Sequence, residues 1–235
     1  MHDTGVKTLG IIGGIAPEST IEYYRAIVEI HRRRADGAYP SVIINSIDLT
    51  KMIGFVAAGQ LDELVEYLLH ELERLAEAGV ALALFASNTP HIVFDRVQER
   101  SPVPLVSIVD VAAEAAVRAG VRRMALFGTR FTMQARFYRE VFAARGIEVV
   151  APPADDLELI HTKYMNELVQ GQFLEATREQ VLGVVERMQA AAGIDGVILG
   201  GTELPLLLRM EEWQGVRFLD TGRMHVEEAV TRMLA

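Results

Sequence analysis

Two short stretches concentrate the polar side chains that could do chemistry. FASNTPH (85–91) closes an apolar run and presents Ser87, Asn88, Thr89 and His91 almost together. LGGTELP (199–205) closes another and presents Thr202 and Glu203 just after Gly201. Polar groups delivered at the end of a buried strand are the usual lining of a small-molecule site in α/β proteins. A serine and a histidine four apart also admit a hydrolytic reading, with Ser87 attacking and His91 taking its proton. No G-x-S-x-G elbow surrounds Ser87, and the order of an α/β-hydrolase triad is not visible. His91 reads better as a helix-start residue that orients a neighbour or contacts substrate.

Two further stretches offer donors for an anion. GGIAPEST (13–20) is a glycine turn into a helix that Pro17 would start, with Ser19 and Thr20 in the first turn. GTRFTM (128–133) holds the matching place later in the chain, where Thr129 and Thr132 would bind an anion or cap a helix. Neither is a Walker A loop or a G-x-G-x-x-G fingerprint, so neither points to a nucleotide. A pair of such openings suits a small dicarboxylate or an amino acid. In DDLELIHTKYMNELVQG (155–171) most polar residues read as a solvated face, and Lys163 is the candidate to neutralise a substrate carboxylate. His2, His31, His70 and His225 show no metal-ligand spacing, so no metal site is expected.

These residues need elements to hold them. Short apolar runs at 8–14, 41–48, 81–87, 104–110, 123–128, 147–152, 195–201 and 217–220 read as strands, the first ending on glycine. Between them, 17–34, 61–78, a short stretch from 91, 110–119, 132–145, 155–170, 173–192 and 223–234 read as helices. Alternating strands and helices predict an α/β fold with parallel sheets. The pattern restarts midway: Gly13 to Ser87 and Gly128 to Gly201 are intervals equal to within one residue. The expectation is two similar lobes, 1–106 plus 219–235 and 107–218, with strand ends around a cleft between them.

Composition narrows the classes of partner. The 235-residue chain carries 23 Lys and Arg against 32 Asp and Glu, a net charge of −9. An acidic surface argues against nucleic acid or an anionic membrane as the main partner, while leaving room for a small anion at a local site. There is no cysteine, which excludes disulfides, thiolate metal sites and thiol nucleophiles. The first residues lack the pattern of a signal peptide, and no apolar run approaches the roughly 20 residues of a membrane span, so a cytoplasmic location is expected.

LGIIGGIAPESTIEYY, SNTPH, LFGTRFTM with FYREVFAARGIEVVAP, YMNELVQG and VILGGTELPLLL together resemble the aspartate/glutamate racemase family, in order and over essentially the whole chain. That resemblance implies two pseudo-symmetric Rossmann-like lobes, a homodimer, and catalysis with neither pyridoxal phosphate nor metal, hence no cofactor. In the family one cysteine removes the α-proton of the amino acid and a second returns a proton on the opposite face. The two cysteines precede the motifs matching Asn88–Thr89 and Thr202–Glu203, and here those positions hold Ser87 and Gly201. A thiol of pKa ~8.5 can be lowered toward neutrality, whereas an alkanol is a poor base and glycine has no side chain.

The substrate-holding positions implied by the resemblance are kept, with Pro17, Ser19, Thr20, Asp48, Asn88, Thr89, Thr129, Thr132, Lys163 and Thr202 at or beside them. Three functions stay open. The first is a racemase relative doing cofactor-independent proton chemistry on an acidic amino acid, with Asp48, His91 or Glu203 as base. The second is a diverged lyase, decarboxylase or hydrolase using Ser87. The third is a non-catalytic binder of an amino acid or dicarboxylate. Kinship makes the chain an amino-acid racemase; the missing thiols leave its being an enzyme open.

Overall fold

The computed structural model describes residues 7–235; His2 and the start of the N-terminal segment lie outside them. The chain divides into two compact units. The first takes the chain up to Ser107 and, after an excursion, His225–Ala235; the second is the continuous segment Ile108–Met224.

In the first unit, β1 (Leu9–Gly13), β2 (Val42–Ser46), β3 (Leu82–Phe85) and β4 (Leu105–Val106) form a parallel sheet ordered β2-β1-β3-β4. Helices α1 (Pro17–Arg34), α2 (Leu49–Ala57), α3 (Leu61–Glu77) and α4 (Phe94–Gln98) connect the strands, with a 3-10 turn at Thr89–Val93 before α4. β1 and β3 are buried at every position, as strands covered on both faces must be. On one face Ile12 and Phe85 meet Leu64, Leu68, Leu72 and Leu75, the inward stripe of α3. That helix stops at Gly79, whose φ of +83° is the left-handed conformation that lets a helix end sharply.

The second unit repeats the plan. α5 (Ile108–Ala119), β5 (Arg123–Phe127), α6 (Arg130–Gln134), α7 (Arg136–Ala143), β6 (Glu148–Val150), α8 (Ala154–Asn166), α9 (Glu175–Ala192) and β7 (Gly196–Leu199) follow in order. α10 (Leu204–Leu208), β8 (Glu212–Trp213), β9 (Val216–Asp220) and α11 (Thr221–Leu234) complete the chain. The sheet order is β6-β5-β7-β9-β8, parallel apart from the antiparallel edge strand β8. Alternate residues of β5 divide between two cores, Met124 and Leu126 packing with α5 and α7, Ala125 and Phe127 with α8 and α9.

Several boundaries differ from the sequence reading. The fourth strand is only Leu105–Val106, because Ile108 already opens α5. The helix expected over 132–145 starts earlier and breaks at Ala135, whose ψ of 148° separates α6 from α7. α2 has no counterpart among the helices read from the sequence; it begins where the Asp48 carboxylate accepts from the Lys51 N–H at 3.1 Å. The hairpin β8–β9 turns on Gln214 and Gly215, with φ of 49° and 82°, the pair of positive values that a two-residue hairpin turn needs.

Candidate functional site

In an open parallel sheet, ligands bind outside the carboxyl ends of the strands where the winding reverses. The orders β2-β1-β3-β4 and β6-β5-β7-β9 put that reversal between β1 and β3 in the first unit and between β5 and β7 in the second. The tips there are Gly13 and Ala86–Ser87 in one, Gly128 and Gly200–Gly201 in the other. The repeat seen in the sequence is therefore a repeat of switch points.

At the first switch point, Gly14 turns with φ +83° and donates its N–H to Thr20 Oγ1 at 2.9 Å. A Cβ on Gly13 would stand 2.5 Å from Thr20 Cγ2, so glycine is what lets the strand tip and helix start pack together. Ser19 Oγ donates to the Ala86 carbonyl at 2.8 Å and ties the first turn of α1 to the tip of β3. Ser19 and Thr20 are buried and bonded within the lobe, while Pro17 is exposed at the helix start. Asp48 is exposed and caps α2.

Ser87 and Thr89 are half-buried, and Asn88 is buried between them. His91 turns inward: its ring stacks on Phe94 at 4.9 Å, lies edge-on to Phe85, and is 4% exposed. Burial pushes its pKa down to about 3, helped by the nearby His225 and opposed by hydrogen bonding to the backbone of Ser87 and Asn88. Its imidazole is thus neutral and weakly basic. His225, which the sequence offers only as a histidine without metal-ligand spacing, is fully buried in the same lobe. Its Nε2 lies 2.9 Å from the Val106 carbonyl and therefore carries the proton, leaving Nδ1 to accept from the Tyr23 hydroxyl at 3.0 Å. Burial lowers its pKa to about 4.

At the second switch point Gly200 donates its N–H to the Phe127 carbonyl at 2.7 Å. Thr129 caps α6, its Oγ1 accepting from the Thr132 N–H at 3.2 Å and lying 3.1 Å from Thr132 Oγ1. Lys163 is held by Glu167 at 2.5 Å, and Glu167 also accepts from Thr177; the two bonds keep its carboxyl below the usual carboxylate range. His161 accepts from the Arg130 N–H at 3.2 Å.

The residue that sequence reasoning missed is Tyr164. Its hydroxyl donates to Glu203 Oε2, which also accepts from Thr202 Oγ1 at 2.9 Å. A Cβ built on Gly201 would meet the Tyr164 hydroxyl at 2.4 Å and Cζ at 2.7 Å. The phenol therefore fills the space into which a side chain at position 201 would project. Burial, then the Glu203 charge, holds the phenol pKa well above its ordinary value, against hydrogen bonds from Thr202 and the Glu203 backbone. Nothing in the spacing of 164 and 201 signals this meeting; the one hint is a glycine where a side chain was expected.

Two units, each built on a largely parallel sheet with glycine and polar residues at the strand tips of its switch point, define a doubled α/β fold. The Asp/Glu/Hydantoin racemase family model matches residues 12–229. A candidate Asp/Glu racemase from Yersinia pestis superposes with a TM-score of 0.90 at 31% identity, covering 97% of this chain and 100% of that one. An aspartate racemase homologue from Pyrococcus horikoshii OT3 gives 0.85 at 36% identity, again with 97% and 100% covered. The broad specificity amino-acid racemase RacX of Bacillus subtilis is 24% identical over 148 residues, 60% of this chain and 63% of RacX. The chain belongs to the Asp/Glu/Hydantoin racemase family. Among the described residues, no helix is long and apolar enough to cross a membrane.

Proposed function

We propose that the protein binds a small acidic amino acid and moves a proton at its α-carbon without an organic cofactor. The observation that carries this reading is the repeated switch point, each with glycine at a strand tip beside polar residues. Asn88 and Thr89 at the strand tip of the first unit, and Thr202 at that of the second, are the polar groups each switch point offers to an amino acid. Lys163 adds positive charge once its bond to Glu167 is shared.

The chemistry differs from that of a two-thiol racemase. In the first lobe Ser87 is an alkanol, and His91 is too weak a base to activate it. In the second lobe the Glu203 carboxylate remains, within reach of two hydroxyls. One competent base predicts exchange of the α-proton of one enantiomer rather than free interconversion of both. From the family resemblance we propose in addition a cytoplasmic homodimer, whose assembly light scattering of the purified chain checks.

The test is incubation with L- and D-aspartate and L- and D-glutamate in D₂O, following the α-proton by NMR. Exchange on one enantiomer is the expected result; binding with no exchange on either sinks the proton chemistry. The loss of both thiols favours one second reading, a binder of amino acids or dicarboxylates without turnover, and that second result is what it requires.

A further inference from the structure

We infer that Tyr164 is the catalytic proton relay of the second lobe, passing the α-proton of the amino acid to and from Glu203. The inference rests on the proton chemistry proposed above and names the group that performs it. Three observations carry it. The phenol oxygen lies 2.4 Å from where the Cβ of a residue at 201 would be, so it stands in side-chain position at the carboxyl tip of β7. Its proton is aimed at Glu203 Oε2, with Thr202 holding the same oxygen. Finally, Tyr164 as a residue is only 6% exposed and packs among the buried residues around α8, so its position is fixed by the core.

The relay balances without any further reagent. The Cα–H bond breaks and its electron pair stays on carbon, delocalised into the substrate carboxylate. The proton goes to the phenol oxygen as the phenol proton passes to Glu203, turning that carboxylate into a carboxylic acid. Tyr164 begins and ends protonated, so no phenolate has to form beside an anion. The reverse shift returns a proton to carbon. A low acidity of the phenol, which would disable a stepwise phenolate mechanism, is compatible with this concerted one.

Phe in place of Tyr164 keeps the ring and removes the relay. Exchange of the α-proton in D₂O should fall by roughly 100-fold or more in Tyr164→Phe, with amino-acid binding by calorimetry changed by less than about twofold. Glu203→Gln should abolish exchange to the same extent. Because Tyr164→Phe could also disturb packing, a second form carrying 3-fluorotyrosine at position 164 tests phenol acidity with little change of shape. Its exchange rate should shift several-fold, which a purely structural tyrosine would not produce. If the unaltered protein exchanges and Tyr164→Phe exchanges at the same rate, the relay is wrong while the proton chemistry stands. If the unaltered protein binds the amino acids yet exchanges none, both ideas fall together.

Discussion

Adding a single methyl group at Gly201 tests whether Tyr164 really occupies that space. The Cβ of Gly201→Ala would lie 2.4, 2.5 and 2.7 Å from the hydroxyl, Cε2 and Cζ of Tyr164. Carbon contacts are comfortable at about 3.5–4.0 Å, so the ring must withdraw by roughly 1 Å. It cannot do so freely, being tied to Glu203 and packed in the second-lobe core. Overpacking of this kind costs about 1–3 kcal/mol. The backbone at 201 is not in the left-handed region, so alanine there carries no conformational penalty of its own. In a Tyr164→Leu background the obstructing ring is gone, and the same methyl should be neutral or slightly stabilising, by up to about 1 kcal/mol through the unfolded chain. The double-mutant cycle should therefore show a coupling of about 1–4 kcal/mol. Urea unfolding of the four proteins, read as midpoints at constant slope, measures it. A Gly201→Ala midpoint equal to that of the parent, or an equal cost in both backgrounds, would refute the placement of the phenol.

The same crowding bears on restoring the thiols: Ser87→Cys with Gly201→Cys should give little racemisation, and adding Tyr164→Leu should raise it, as followed by polarimetry with aspartate. Replacing Tyr23 by Phe leaves the buried His225 Nδ1 without its donor and should cost about 1–3 kcal/mol in thermal unfolding. His91 and His225 make the first lobe sensitive to acid, since their folded pKa values of about 3 and about 4 lie below the unfolded value of 6.5. The unfolded chain then binds more protons, so stability is full above about pH 6.5 and falls as pH drops toward 4, by up to ~1.4 kcal/mol per pH unit for each histidine. Urea midpoints that stay flat between pH 6.5 and 5 would contradict that burial.

Much of this architecture could be read from the residues because its signals are local. β1 and β3 are continuous apolar runs, α3 carries leucines at helical spacing, and the polar tips follow each buried strand directly. What escaped depends on direction or on distant partners. His91 has the right type and place for chemistry, yet the 3-10 turn at Thr89–Val93 swings it onto Phe94 and into the core. Ser19 and Thr20 were recognisable as helix-start hydroxyls, but not as the bolts joining α1 to two strand tips. The hairpin at Gln214–Gly215 lacks the Asn-Gly pair that announces such turns. Tyr164 looked like one more residue on a polar helix, because its partners Gly201 and Glu203 arrive only after a further helix and strand.

The discontinuity of the first unit has a consequence for the order in which the molecule can be built. Arg34 on α1 bonds to Thr231, the Lys7 N–H donates to the Met233 carbonyl, and His225 closes on Val106 and Tyr23. All of those partners lie at the very end of the chain, whereas the second unit is one continuous segment. On a ribosome emitting about 5–20 residues per second, the half of the protein synthesised first is thus the half that must wait longest for its last pieces. The later half has every strand it needs in hand before the final helix emerges. Synthesis runs from one terminus to the other, while completion of the fold runs from the middle outward, and the C-terminal turns of α11 act as the closing seam.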